Sequence, residues 1–129
     1  MRRGYHRKFG LTTKLRNALY KGLATALIDH GQIKTTQAKA KSLIPVMDRL
    51  VTLAKRQNLN ARRELLGHVG EKAVKKLMGE LAREFADRQG GYTRMIRLGQ
   101  RKSDGAEMAL VEFTRGHTHN APTPTPATK

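Results

Sequence analysis

Residues Gln32 to Ala54 read QIKTTQAKAKSLIPVMDRLVTLA, and they pass from an extended run into a helical period with no glycine between. Gln32-Ile33-Lys34-Thr35-Thr36 is short and β-branched, which predicts a strand with Ile33 and Thr35 on one face and Gln32, Lys34 and Thr36 on the other. From Ala40 the apolar residues Leu43, Met47, Leu50, Val51 and Ala54 recur three and four apart, the stripe of a helix packed on a core. Pro45 falls inside that stripe, and because proline removes one helical hydrogen bond, a kink is expected there. Lys39 and Lys41 lie in the first helical turns with no acid beside them. Thr35 and Thr36 are expected to cap the orphan N–H groups, and such a strand-to-helix junction attracts phosphate.

Working outward toward the N-terminus, Leu15, Ala18, Leu19, Gly22, Leu23, Ala26 and Leu27 form a second helical stripe, with Thr12 or Thr13 as N-cap and Gly31 as the left-handed terminator. Its other face carries Lys14, Arg16, Asn17 and Lys21, and the first acid of the chain is Asp29. Residues 1–11, MRRGYHRKFGL, show no apolar period. Arg2, Arg3, Arg7 and Lys8 are interleaved there with Tyr5, His6 and Phe9, the pattern of a basic arm whose rings stack on exposed bases.

Toward the C-terminus, a polar connection, Arg56 to Asn60, leads to a short helix over Ala61–Gly67 with Asn60 as its expected N-cap. Glu71 then opens a third long helix with the stripe Val74, Leu77, Met78, Leu81 and Phe85, ending at Asp87. Lys72, Lys75 and Lys76 form its solvated side, where Glu80 and Glu84 offer partners. Beyond Gly90-Gly91 the period drops to two: Arg94, Ile96 and Leu98 alternate with Met95, Arg97 and Gly99, then Ala109, Val111 and Phe113 with Met108, Leu110 and Glu112. Asp104-Gly105 between them marks a β-hairpin. The order α-β-α-α-α-β-β predicts an α+β fold, a two-layer α/β domain with a small three-stranded mixed sheet and helices on one face. The expected organisation is an arm over 1–11, one globular domain over 12–114, and a disordered threonine- and proline-rich tail over 115–129.

Charge bounds the function. The 26 Lys+Arg against 10 Asp+Glu give a formal net charge of +16, and a chain so basic needs a polyanion partner. The excess is uneven: residues 1–63 hold 15 basic and 2 acidic side chains, residues 64–129 hold 11 and 8. No apolar run approaches the ~20 residues that span a bilayer, and no secretory signal is visible, so a membrane partner is not expected and a cytoplasmic location is. Cysteine is absent, so thiol chemistry is excluded. Phosphate-loop, dinucleotide, zinc-protease and nucleophile-elbow motifs are all missing. His117 and His119 are too isolated to hold a metal, and Asp104, Glu107 and Glu112 are read as solvated charges. No enzyme, cofactor or small-molecule substrate is expected. A DNA-compacting protein shares this composition and is the rival reading.

The residues themselves narrow the choice. Ile33-Lys34-Thr35-Thr36, Lys39-Ala40-Lys41 and Asp48-Arg49-Leu50-Val51-Thr52-Leu53-Ala54 closely resemble the signature of the bacterial large-subunit ribosomal protein seventeen family. His6-Arg7-Lys8, Leu27-Ile28-Asp29-His30-Gly31, Asn60-Ala61-Arg62-Arg63 and Gly90-Gly91-Tyr92-Thr93-Arg94 follow in the family's order, across about residues 5–114. The resemblance implies a two-layer α/β fold, binding to large-subunit (23S-type) ribosomal RNA near the peptide exit region, neighbouring ribosomal proteins as further partners, and no catalysis or required metal. Two stretches depart from it: Leu11 to Arg16 replaces a serine- and arginine-rich run, and the tail after Arg115 has no counterpart. The RNA contacts expected are Arg2, Arg3, Tyr5, His6, Arg7 and Lys8 in the arm, Lys14, Arg16 and Lys21 in the first helix, and Lys34, Thr35, Thr36, Lys39 and Lys41 at the junction. Tyr92, Arg94, Arg97 and Arg101 on the hairpin form a second set.

Overall fold

In the computed structural model, which describes residues 6–114, the junction is built as the sequence implies. Helix α1 (Thr13–His30) ends at Gly31, whose φ of 77° is the left-handed turn that only glycine takes without strain, and strand β1 (Gln32–Thr36) runs straight into helix α2 (Gln37–Ala54). Thr12 caps α1, its hydroxyl accepting from the Leu15 N–H. The cap expected of the threonines at α2 is not made: Thr36 is the N-cap residue, but its side chain bonds no backbone N–H. Pro45 does not interrupt α2, which continues unbroken past it. One flank of α2 is fully buried at Ala40, Leu43, Met47, Val51 and Ala54, and each buried Leu or Met there contributes about 1.5–3 kcal/mol.

Helix α3 (Leu59–His68) begins two residues earlier than expected. Asn58, not Asn60, is its N-cap: the Asn58 Oδ1 accepts from the Ala61 N–H at 2.7 Å, and Asn60 lies exposed inside the first turn. The third long helix is α4 (Glu71–Lys76), a π-helical turn (Leu77–Leu81) and α5 (Ala82–Glu84) in succession, and it stops short of Asp87. Within the π turn the Met78 carbonyl is taken by the Gln57 side-chain amide at 2.7 Å, and Gln57 itself sits at a φ of 54° after α2. Lys75 pairs with Glu71 across one turn, but Lys76 reaches back to the Asp29 carbonyl at 2.9 Å and so satisfies an orphan acceptor at the end of α1.

Strands β2 (Thr93–Gln100) and β3 (Glu107–Phe113) form the hairpin, and the sheet order is β1-β3-β2. Both pairings are antiparallel, so the sheet is not mixed as expected. The reason is the place of β3. Strands β1 and β2 point the same way, but β3 lies between them, so no parallel pair forms. Burial explains that choice, since Ala109, Val111 and Phe113 of β3 face the helices, while β2 keeps Arg94, Arg97 and Gln100 exposed, as edge strands do. A bulge between Arg97 and Gly99 shifts the register near the hairpin tip.

The core joins both layers. Phe85 sits edge-on to Tyr92 at 5.3 Å between ring centroids and 5.9 Å from Phe113, closing the end of the sheet onto α2 and the third helix. On the outer sheet face, Lys34, Leu110 and Ile96 form one row and Gln32, Glu112 and Arg94 another. Among the described residues, no helix is long and apolar enough to cross a membrane.

Candidate nucleic-acid interface

An amphipathic helix buried on one side must present the rest of its circumference elsewhere, and in α2 that remainder is cationic. Lys41, Pro45, Arg49, Thr52 and Arg56 recur at steps of three and four, opposite the stripe that packs on the core. Facing them from α1 are Arg16, Asn17, Tyr20 and Lys21, from the arm His6 and Arg7, and from α3 Glu64 and His68. Together they line an open cleft of about 1250 Å³. Its cations are Arg7, Arg16, Lys21, Lys41, Arg49 and Arg56, and its carboxylates are Asp48 and Glu64.

The two carboxylates do not neutralise the wall. Asp48 is half-buried and accepts from the Tyr92 N–H at 3.4 Å, which turns one oxygen toward the core. Arg16 is oriented by neutral acceptors, the Leu11 carbonyl at 3.2 Å and the Thr13 hydroxyl at 3.4 Å, so its position is set while its charge stays available. The ion pairs Lys75–Glu71, Arg94–Glu112 and Arg101–Asp104 all lie outside the cleft. A second recess of about 310 Å³ opens at the start of α2, lined by Arg7, Thr36, Gln37, Ala38, Lys41, Ala106 and Glu107. Arg7 and Lys41 line both hollows, which makes the strand-to-helix junction the rim of the larger cleft.

The residues expected from sequence therefore divide. Arg2, Arg3 and Tyr5 lie outside the described residues, as do His117 and His119. His6, Arg7, Arg16, Lys21 and Lys41 are brought together in the cleft, and Thr36 joins Arg7 and Lys41 in the recess. Lys8 and Lys14 are exposed and do not line the cleft, and Lys39 is half-buried. Thr35 pairs with Ala109 and shares its helix-facing side, while Lys34 projects from the outer face of the sheet.

The hairpin set changes most. Tyr92 is 1% exposed and cannot stack on a base. Its hydroxyl donates to the Arg88 carbonyl at 3.1 Å and accepts from Lys55 at 3.3 Å, and the Lys55 ammonium stands 5.5 Å from the ring centroid. Burial pushes this phenol upward, but the Gly90 backbone, the Thr52 hydroxyl and Lys55 outweigh it and bring it below its ordinary value. Arg94 is engaged by Glu112 and Arg101 by both oxygens of Asp104, whereas Arg97 is exposed and outside those pairs. Sequence reading missed Arg49, Arg56, Tyr20 and His68. The signal for the two arginines was present: their spacing from Lys41 is that of one helix face.

A small, strongly basic α+β protein, with six cations lining one cleft between helices and none of them in an ion pair among the described residues, is the class that this fold and site define. Within that class the chain belongs to the ribosomal protein L17 family, whose model matches residues 19–114. A protein of Desulfotalea psychrophila called large ribosomal subunit protein bL17 is 46% identical over 108 residues, covering 83% of this chain and 84% of its own length. Those of the same name from Shouchella clausii and an Exiguobacterium species are 44% and 46% identical, each covering 82% of this chain and 96% of its own length.

Proposed function

We propose that this chain is a structural constituent of the bacterial large ribosomal subunit, working in the cytoplasm, and that it holds large-subunit ribosomal RNA in the cleft between α1 and α2. The observation that carries this reading is the cleft's charge: six cations against two carboxylates. Family membership supports the ribosomal setting, since the relatives bear the name of a large-subunit protein. Each cation placed on a phosphate releases counterions, so binding is driven by charge and weakened by salt. His6 and Arg7 of the arm line the cleft, and Lys8, Lys14 and Lys39 are further cations offered to the same RNA. Lys34, with half-buried Leu110 and exposed Ile96 on the outer sheet face, is available to a neighbouring ribosomal protein.

The RNA contact proposed lies near the peptide exit region. A chemical footprint of the bound protein on large-subunit RNA tests that location, and co-sedimentation tests the assembly. Co-sedimentation with large-subunit particles that survives a mild salt wash is the expected result. Absence from those particles, with binding to DNA instead, would make the protein a free-standing DNA-compacting factor.

A further inference from the structure

Pro45 has no structural reason to stand where it does. It lies in the ninth position of an 18-residue helix that runs unbroken past it, on the exposed side, where most other residues would complete the helix better. Its chemical effect is specific. Proline has no N–H, so the carbonyl of Lys41, one turn earlier, loses its ordinary helical donor. Lys41 and Pro45 both line the cleft, and a helical carbonyl is directed along the axis toward the residue four further on, which sets that oxygen between the two on the exposed side of the helix.

We infer that the Lys41 carbonyl is a binding subsite for a ribose 2′-hydroxyl, and that Pro45 is the positioning residue that keeps it free. This rests on the cleft being the RNA site. The cations cannot make this distinction, because phosphates are alike in RNA and DNA. A backbone acceptor set among them can, because the 2′-hydroxyl is a donor that only RNA carries. The cleft then selects its polymer by one hydrogen bond while holding it by charge.

Pro45→Ala tests the inference without endangering the fold, since alanine restores the helical bond and should raise the urea midpoint. The probe is the large-subunit RNA fragment that the full-length protein protects, made with ribose and with 2′-deoxyribose. Wild-type protein should prefer the ribose form, and Pro45→Ala should reduce that preference about 2- to 10-fold, the scale of one neutral hydrogen bond. Its salt dependence should be unchanged. Lys41→Gln should weaken both forms alike and leave their ratio intact, because it keeps the carbonyl and removes the charge. An unchanged ratio in Pro45→Ala overturns the subsite, and so does a wild type indifferent to the 2′-deoxy change, although RNA binding would then stand. Failure of the wild type to protect any RNA would remove the functional reading as well.

Discussion

The cleft makes a quantitative demand on RNA binding that composition alone does not. Lys41, Arg49 and Arg56 occupy one face of α2 and its end, and all three line the cleft. Changing them together to glutamine removes three charges without touching a buried apolar side chain. If each of the six described cations meets one phosphate, the salt dependence should follow roughly six released charges, at about 0.7 to 0.9 per contact by the rules for single strands and duplex DNA. Wild-type affinity should then fall by about 300- to 2000-fold between 50 and 200 mM salt, and that of the triple variant by only about 20- to 40-fold. Filter binding to a large-subunit RNA transcript across that salt range measures both slopes. The control is Lys72→Gln with Lys75→Gln and Arg83→Gln, which removes the same charge from exposed residues outside the cleft lining. Net charge alone predicts equal slopes for the two triple variants. Equal slopes would therefore refute the cleft as the seat of binding.

Three further outcomes follow from the packing and the hairpin. Asn58→Ala should cost about 1 kcal/mol in urea unfolding, the usual loss for an N-cap, whereas Asn60→Ala should change stability by less than about 0.5 kcal/mol; the reverse order would return the cap to Asn60. Thr93→Val should stabilise by about 1 kcal/mol, because the buried Thr93 hydroxyl has no hydrogen-bond partner and valine keeps its shape; a loss of stability would mean that the hydroxyl is satisfied. The Arg101 guanidinium, and after it the Ala106 N–H, hold the exposed Asp104 carboxyl well below its ordinary value of 3.8. A depressed carboxylate contributes its stability above its unfolded value and loses it only as pH falls through the lower folded one, so Asp104 should still be ionised at pH 3.8. A carboxyl carbon titration by NMR showing half-protonation there would contradict this.

The architecture was legible because its causes are local. The change of period at Thr36, the left-handed glycine at 31 and the Asp-Gly tip at 104–105 each act within a few residues, so the order of elements can be read along the chain. Strand order could not be read that way. Whether β3 or β2 meets β1 depends on which face the helices cover, and the buried Ala109, Val111 and Phe113 decide it only once α2 is in place.

The site divides along the same line. Lys41 and Arg16 could be chosen from local charge, but Tyr92 could not be excluded, because the groups that satisfy its phenol include Lys55, distant in sequence. The ion pair of Arg94 was out of reach of sequence reading for the same reason, its carboxylate lying across the sheet on Glu112. Arg49 and Arg56 were the opposite case: their company in sequence, Asp48 and the polar run after Lys55, disguised a face that helical angle alone would have shown. A cleft is a product of three elements meeting. In α2 the buried stripe and the cationic stripe are two consequences of one periodicity, so the side chains that bind the helix to the core also hold Lys41, Arg49 and Arg56 in line. Pro45 belongs to the second stripe, and its cost to the helix is borne on the face where a free carbonyl can be used.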